Sequence, residues 1–164
     1  VDGGWAVMGV ALAFERGVMG GTNPAVPLLR HVRAWAETDG SDGRGRMVDD
    51  PLFRERVART AIVNQVSQLL TLRAAWIAAE GGLPGLEGSM AKVFASEEYQ
   101  RIVGWFQQMA GAEGLLGFHA DGAAADGWID YDARHAPVTT IYGGTTEINR
   151  NNVAERHLGL PRDR

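Results

Sequence analysis

The sequence predicts an all-α fold, an antiparallel four-helix bundle that takes residues 1–164 as a single domain. Three observations carry this expectation. Glycines cluster at 40–45, 81–88, 111–127 and 143–144 and punctuate the chain. The segments between them are rich in Ala, Leu, Arg, Glu and Gln, which are good helix formers. No segment sustains the strict apolar–polar alternation of a half-buried strand.

The first helical segment is expected from about Trp5 to Thr38. Between Ala6 and Thr22 its only charges are Glu15 and Arg16. Trp5, Met8, Leu12 and Met19 form one stripe at helical spacing, and Val7, Ala11, Phe14 and Val18 form another. A helix apolar on two faces is usually buried in the middle of something. A four-helix bundle alone covers only one stripe per helix, so a large exposed apolar patch is expected on this chain. Pro24 and Pro27 should break or kink it. A polar loop, Thr38–Met47, follows. The second helix starts where Asp50 can cap and Pro51 suits the first helical position. Its expected stripe is Val63, Val66, Leu70, Ala74 and Ile77, and Gly81 is a natural left-handed stop. The third helix is expected from near Leu86 to Ala110, with Met90, Phe94, Ile102, Trp105, Phe106 and Met109 facing inward. Residues 111–136 are glycine-rich and give no clear pattern. The last helix should start at Thr145 as cap and stop at Leu158-Gly159-Leu160-Pro161.

Length and composition narrow the function. A chain of 164 residues can bury a core without staples. It opens Val1-Asp2 without an initiator Met, which reads as a piece of a longer protein. It contains no cysteine, so disulfides, thiolate metal sites and cysteine nucleophiles are excluded. A net charge of −4 argues against a nucleic-acid partner. No stretch reads as a signal peptide or as an apolar run of about 18 residues that would span a membrane. A cytoplasmic location is expected.

Glu15 is the most informative ionisable residue. It shares a stripe with Trp5, Met8, Leu12 and Met19, where a carboxylate is either desolvated or beside a cavity. Desolvation raises a Glu pKa, and a raised pKa suits a general base near neutrality. The alternative is a structural Glu15 that bonds a neighbouring helix or sits at the bundle edge beside Arg16. Tyr142-Gly143-Gly144-Thr145-Thr146-Glu147 is a glycine turn entering a helix. Free N–H groups and the positive dipole end make such a turn a possible anion site, or simply a loop. His31, His119, His135 and His157 show no metal-ligand spacing. There is no Gly-x-Ser-x-Gly, phosphate loop or dinucleotide fingerprint.

The run from Ile141 to Arg162, Ile-Tyr-Gly-Gly-Thr-Thr-Glu-Ile-Asn-Arg-Asn-Asn-Val-Ala-Glu-Arg-His-Leu-Gly-Leu-Pro-Arg, closely resembles the carboxy-terminal signature of acyl-CoA dehydrogenases. Gly4-Trp5 with Leu12-Ala13-Phe14-Glu15-Arg16 is similar to the start of that family's carboxy-terminal helical domain, and Ser89-Met90-Ala91-Lys92 to its third helix. The resemblance implies a longer protein, with a helical amino-terminal domain and a β middle domain before this bundle. It implies FAD, an acyl-CoA substrate, and electrons passed to an electron-transfer flavoprotein or similar acceptor. It also implies a homo- or hetero-oligomer. In such chemistry a Glu takes the Cα proton while the Cβ hydride passes to the flavin.

Two departures qualify the carry-over. Many members place the catalytic Glu directly after the tyrosine matching Tyr142, where this chain has Gly143. Others place it in the first helix of this domain, immediately before an Arg, which matches Glu15-Arg16. Glu15 is therefore the expected base, and Thr145 and Glu147 the expected FAD contacts. The second departure is the loop after the first segment, 37–46, which lacks the Arg-x-x-Phe-Gly of many members. Gly111–Gly117 likewise only loosely resembles their Gln-x-x-Gly-Gly-x-Gly flavin segment. These gaps leave a rival expectation: a non-catalytic bundle of a partner subunit, with a related chain doing the chemistry.

Overall fold

The computed structural model describes the backbone of residues 3–21, 23–38 and 45–162, and the side chains of these residues except 13–21. It is all-α, and among the described residues there is no strand. Among the described residues six α-helices follow in order: α1 (Gly4–Gly21), α2 (Ala25–Ala36), α3 (Pro51–Ala79), α4 (Gly85–Ala110), α5 (Trp128–Thr139) and α6 (Thr146–Asn151). Short 3-10 turns occupy Met47–Asp49, Gly111–Leu115 and Ala124–Gly127, and a wide π-helical stretch, Asn152–His157, extends α6.

The long first segment is thus two helices. Pro24 stands directly before α2. Pro27 lies in its first turn, where a missing N–H breaks no helical bond. The α3 start is as expected: Asp50 Oδ1 accepts from the Leu52 amide at 2.7 Å and from Phe53 at 3.4 Å. Gly81 at φ +80 and Gly159 at φ +69 are the left-handed stops. The loop 39–44 lies outside the described residues.

The described chain divides into two compact units. The second, Pro24–Gln65 with Glu98–Val138, holds a conventional apolar core. Ala25, Leu28, Val32 and Ala36 line one face of α2 and are buried with Phe53, Tyr99, Ile102, Val103, Phe106 and Ile129. The rings of Phe53 and Phe106 lie 6.0 Å apart. Burying a side chain such as Leu28 contributes about 1.5–3 kcal/mol. Gly127, at φ +88, lies so close to the backbone of Gly117 and Phe118 that no side chain fits there.

Helix α5 fills part of the region that showed no pattern. Its inward face is Ile129, Asp130, Asp132, Ala136 and Thr139, so polar residues interrupt the apolar stripe. The Tyr99 hydroxyl donates to Asp132 Oδ1 at 2.5 Å. Burial pushes the Asp132 carboxyl above the ordinary carboxylate range, opposed by the Tyr99 hydroxyl and the charge of His135. A carboxyl whose pKa is higher folded than unfolded stabilises most below its unfolded pKa. That contribution is lost as pH rises through the folded value. Asp132→Asn should therefore gain in melting temperature relative to the wild type as pH is raised from about 4 to about 7. Thermal melts across that range check this, and a constant gap would contradict it.

The other unit, Val1–Asn23 with Val66–Glu97 and Thr139–Arg164, is built differently. Among its described residues the buried apolar ones are Ala74, Pro84 and Ala91, while Ser67, Ser89, Lys92, Ser96, Thr139, Thr146 and Asn149 are buried polar ones. Many of its large apolar side chains face out instead, while Leu70, Ile77, Val93 and Phe94 are half-buried. Trp5 is 85% exposed, and Val7, Met8 and Val10 of α1 are also exposed. This exposure agrees with the expected apolar patch on a first helix that the bundle alone does not cover. The inward placement of Val66 and Met90 is corrected, because both are exposed. The inward faces of α3 and α4 at these levels use Ser67, Ala74, Ser89 and Ser96.

Candidate functional site

The chain from Thr139 to Asn151 makes a tight turn that enters α6. Gly143 at φ +67 and Gly144 at φ +81 take left-handed conformations that side-chain-bearing residues adopt only at a cost. Thr145 is the helix cap: its hydroxyl oxygen accepts from the Ile148 amide at 3.2 Å. That hydroxyl keeps its own proton to donate. Glu147 follows in the first turn, exposed to solvent. A hydrogen bond from its own backbone amide, then one from the Thr145 hydroxyl, hold the Glu147 carboxyl below its ordinary value. Glu147 is therefore a carboxylate at neutral pH.

Two buried side chains hold this turn. Asn149 Nδ2 donates to the carbonyls of Gly144 at 2.8 Å, Thr145 at 2.9 Å and Gly143 at 3.4 Å. Lys92 Nζ donates to the Thr140 carbonyl at 2.9 Å. The Thr140 carbonyl also accepts from the Thr146 amide at 3.0 Å. Burial lowers the Lys92 pKa, and the charges of Glu147 and Glu97 act to raise it. Arg150 binds Glu97 at 2.7 Å.

The structure thus brings Thr145 and Glu147 together at one helix start. Glu15 lies in α1, and its side chain lies outside the described residues. Sequence reasoning met Lys92 and Asn149 within the family-like motifs but gave neither a role. A usable signal existed for Lys92: it is the chain's single lysine, set between Ser89 and Ser96 at helical spacing. Among the described residues no cluster of His, Asp and Glu could hold a metal ion. His31 stacks on Trp128 at 4.4 Å and His135 on Tyr131 at 6.0 Å, as packing residues. No helix among the described residues is long and apolar enough to cross a membrane.

The sequence profile described as acyl-CoA dehydrogenase, C-terminal domain, matches residues 2–158. The chain belongs to the acyl-CoA dehydrogenase family. Acyl-CoA dehydrogenase FadE26 of Mycobacterium tuberculosis is 27% identical over 98% of this chain and 41% of its own length. Acyl-CoA dehydrogenase IpdE1 of Mycolicibacterium smegmatis is 30% identical over 98% of this chain and 38% of its own. This acyl-CoA dehydrogenase domain therefore spans less than half the length of these curated relatives. Among solved structures, the Tcur3481-Tcur3483 steroid ACAD superposes at a TM-score of 0.83 with 27% identity, over 99% of this chain and 41% of that one. The ChsE4-ChsE5 complex of Mycobacterium tuberculosis superposes at 0.73 with 28% identity, over 85% of this chain and 36% of that one.

Proposed function

We propose that this domain completes the active site of an FAD-dependent acyl-CoA dehydrogenase, acting in the cytoplasm on a CoA thioester. The observation that carries the reading is the glycine turn entering a Thr145-capped helix, with Glu147 ionised beside it, in a chain of this family. The residues present fit a flavin contact. Two glycines bring backbone rather than side chains to the approach, beside the Thr145-capped helix start. When bound, FAD accepts the Cβ hydride. The protein's own part is to orient the acyl chain, exclude water and remove the Cα proton. Glu15 is the proposed base, its Oε atoms taking that proton. The remaining site walls come from the amino-terminal helical and β domains of the longer protein, and an electron-transfer flavoprotein or similar acceptor reoxidises the flavin. Because one structural relative is a steroid ACAD, a steroid-derived acyl group is the first thioester to test.

A second reading is favoured by a specific observation. Two of the structural relatives are assemblies of two differently named proteins. The chain could then serve as the bundle of a partner subunit that supplies contacts while a related chain does the chemistry.

The test is to purify the full-length protein alone and with the proteins encoded beside it. A yellow protein that bleaches with acyl-CoA supports the first reading. Colour that appears only with a partner chain supports the second, and no flavin in either preparation overturns both. Residues 1–164 alone are expected to bind no FAD in fluorescence titration, because the ring site needs the β domain. A saturable submicromolar site in this fragment would contradict that.

A further inference from the structure

Two buried polar groups in one unit grip the same stretch of backbone. Lys92 is only 4% exposed and Asn149 is wholly buried. An ammonium and a carboxamide are costly to bury unless hydrogen bonds compensate them. Both spend their bonds on the turn. Lys92 takes the Thr140 carbonyl, and Asn149 gathers those of Gly143, Gly144 and Thr145. The Asn149 Oδ1 atom has no partner among the described residues, so the residue tolerates an orphaned acceptor to make these contacts.

The turn needs such a grip. Gly143 and Gly144 have no side chains to hold them, and glycine loses the most conformational freedom on folding. Peptide planarity then fixes what the turn presents. With the Gly143 and Gly144 carbonyls aimed at Asn149, the N–H groups of Gly144 and Thr145 point away from it. The helix that follows starts where Thr146 N meets Thr140 O, the atom that Lys92 holds.

We propose that Lys92 and Asn149 are positioning residues that set the Tyr142–Thr145 turn for the dehydrogenation. The inference rests on the reading of that turn as an edge of the flavin and acyl-CoA site. Neither residue touches substrate; each acts through the backbone it holds. A small displacement of a positioned group can cost about 10²-fold in rate.

The test uses the full-length protein with Asn149→Asp, Asn149→Ser and Lys92→Met. Asp places a carboxylate against three carbonyls, Ser shortens the donor, and Met keeps the length of Lys without its charge. Hydrogen exchange is followed in the flavin-free protein, and flavin reduction by acyl-CoA in the loaded one. Exchange at residues 141–146 should accelerate at least about tenfold in each variant, with the rest of the chain little changed. Flavin reduction, followed in flavin-saturated protein, should slow about 10²-fold in the Asn149 variants. A merely structural role predicts faster exchange throughout the unit, a lower melting temperature and unchanged reduction, and that pattern overturns the proposal. Unchanged exchange at the turn also overturns it. If the wild type binds no flavin, the functional reading has failed and the positioning role for dehydrogenation falls with it; exchange at the turn still reports whether the grip exists. Should Asn149→Asp not fold, the other two variants carry the same measurements.

Discussion

In the full-length protein, Glu15→Gln is expected to slow reduction of the bound flavin by acyl-CoA about 10²–10⁴-fold, the usual cost of losing a positioned general base. Gln keeps the shape and hydrogen bonding of Glu and loses only its proton affinity. FAD content and acyl-CoA binding should therefore stay near wild type. Two separate lines lead to this residue. It sits on an apolar stripe of α1, and it precedes Arg16 where some family members keep their base. The rival position is occupied by Gly143, which has no side chain to act. Gly143→Glu restores a carboxylate there and should partly rescue the Glu15→Gln enzyme if both positions face the same α-carbon. The left-handed φ of +67 at Gly143 adds a cost, about 1–2 kcal/mol for a side-chain-bearing residue, so the rescued protein should melt earlier. Stopped-flow bleaching of the flavin decides. A Glu15→Gln enzyme that bleaches at the wild-type rate, with only its melting temperature lowered, would make Glu15 structural.

The largest effect on stability is expected at Gly127. A Cβ built there meets the Phe118 amide nitrogen at 2.5 Å and the Gly117 carbonyl carbon at 2.7 Å. Both are backbone atoms, so no side-chain rotation relieves the clash. The φ of +88 adds strain of its own. Gly127→Ala should cost roughly 3 kcal/mol or more, combining overpacking with backbone strain. For a protein of this size that lowers the melting temperature by about 10 °C. Gly122→Ala is the control: its φ is +78, but nothing lies within 4 Å of the added carbon. It should show the backbone cost alone, about 1–2 kcal/mol. Equal losses at the two sites would mean that the contact with 117–118 contributes nothing.

The readable parts of the fold were those with local chemistry. Asp50-Pro51, Gly81, Thr145 and Gly159 each mark a helix end through a cap, a fixed φ or a left-handed turn, and all four hold. Pattern reading failed where it assumed that large apolar residues face inward. It chose Val66 and Met90, while Ser67 and Ser89 are the buried neighbours. It missed α5 because Asp130 and Asp132 interrupt the inward stripe, and the partner of Asp132 lies far off in sequence: Tyr99 is 33 residues away. Thr145 and Glu147 were legible as a capped helix start. The Lys92 and Asn149 contacts were not, since a bond from Lys92 to a carbonyl 48 residues away leaves no periodic trace.

The contrast between the two units also has a calorimetric meaning. The heat-capacity rise on unfolding comes from apolar surface newly exposed to water, and exposing polar surface reduces it. The unit containing Phe53, Phe106 and Ile129 has such surface to expose. The unit around Lys92 and Asn149 already shows Trp5, Leu69 and Trp76 to solvent in the isolated chain, and its described interior is small and polar. Its melting would add enthalpy from broken hydrogen bonds with little accompanying heat capacity. For the isolated domain, ΔCp should therefore fall below the value that chain length alone would suggest.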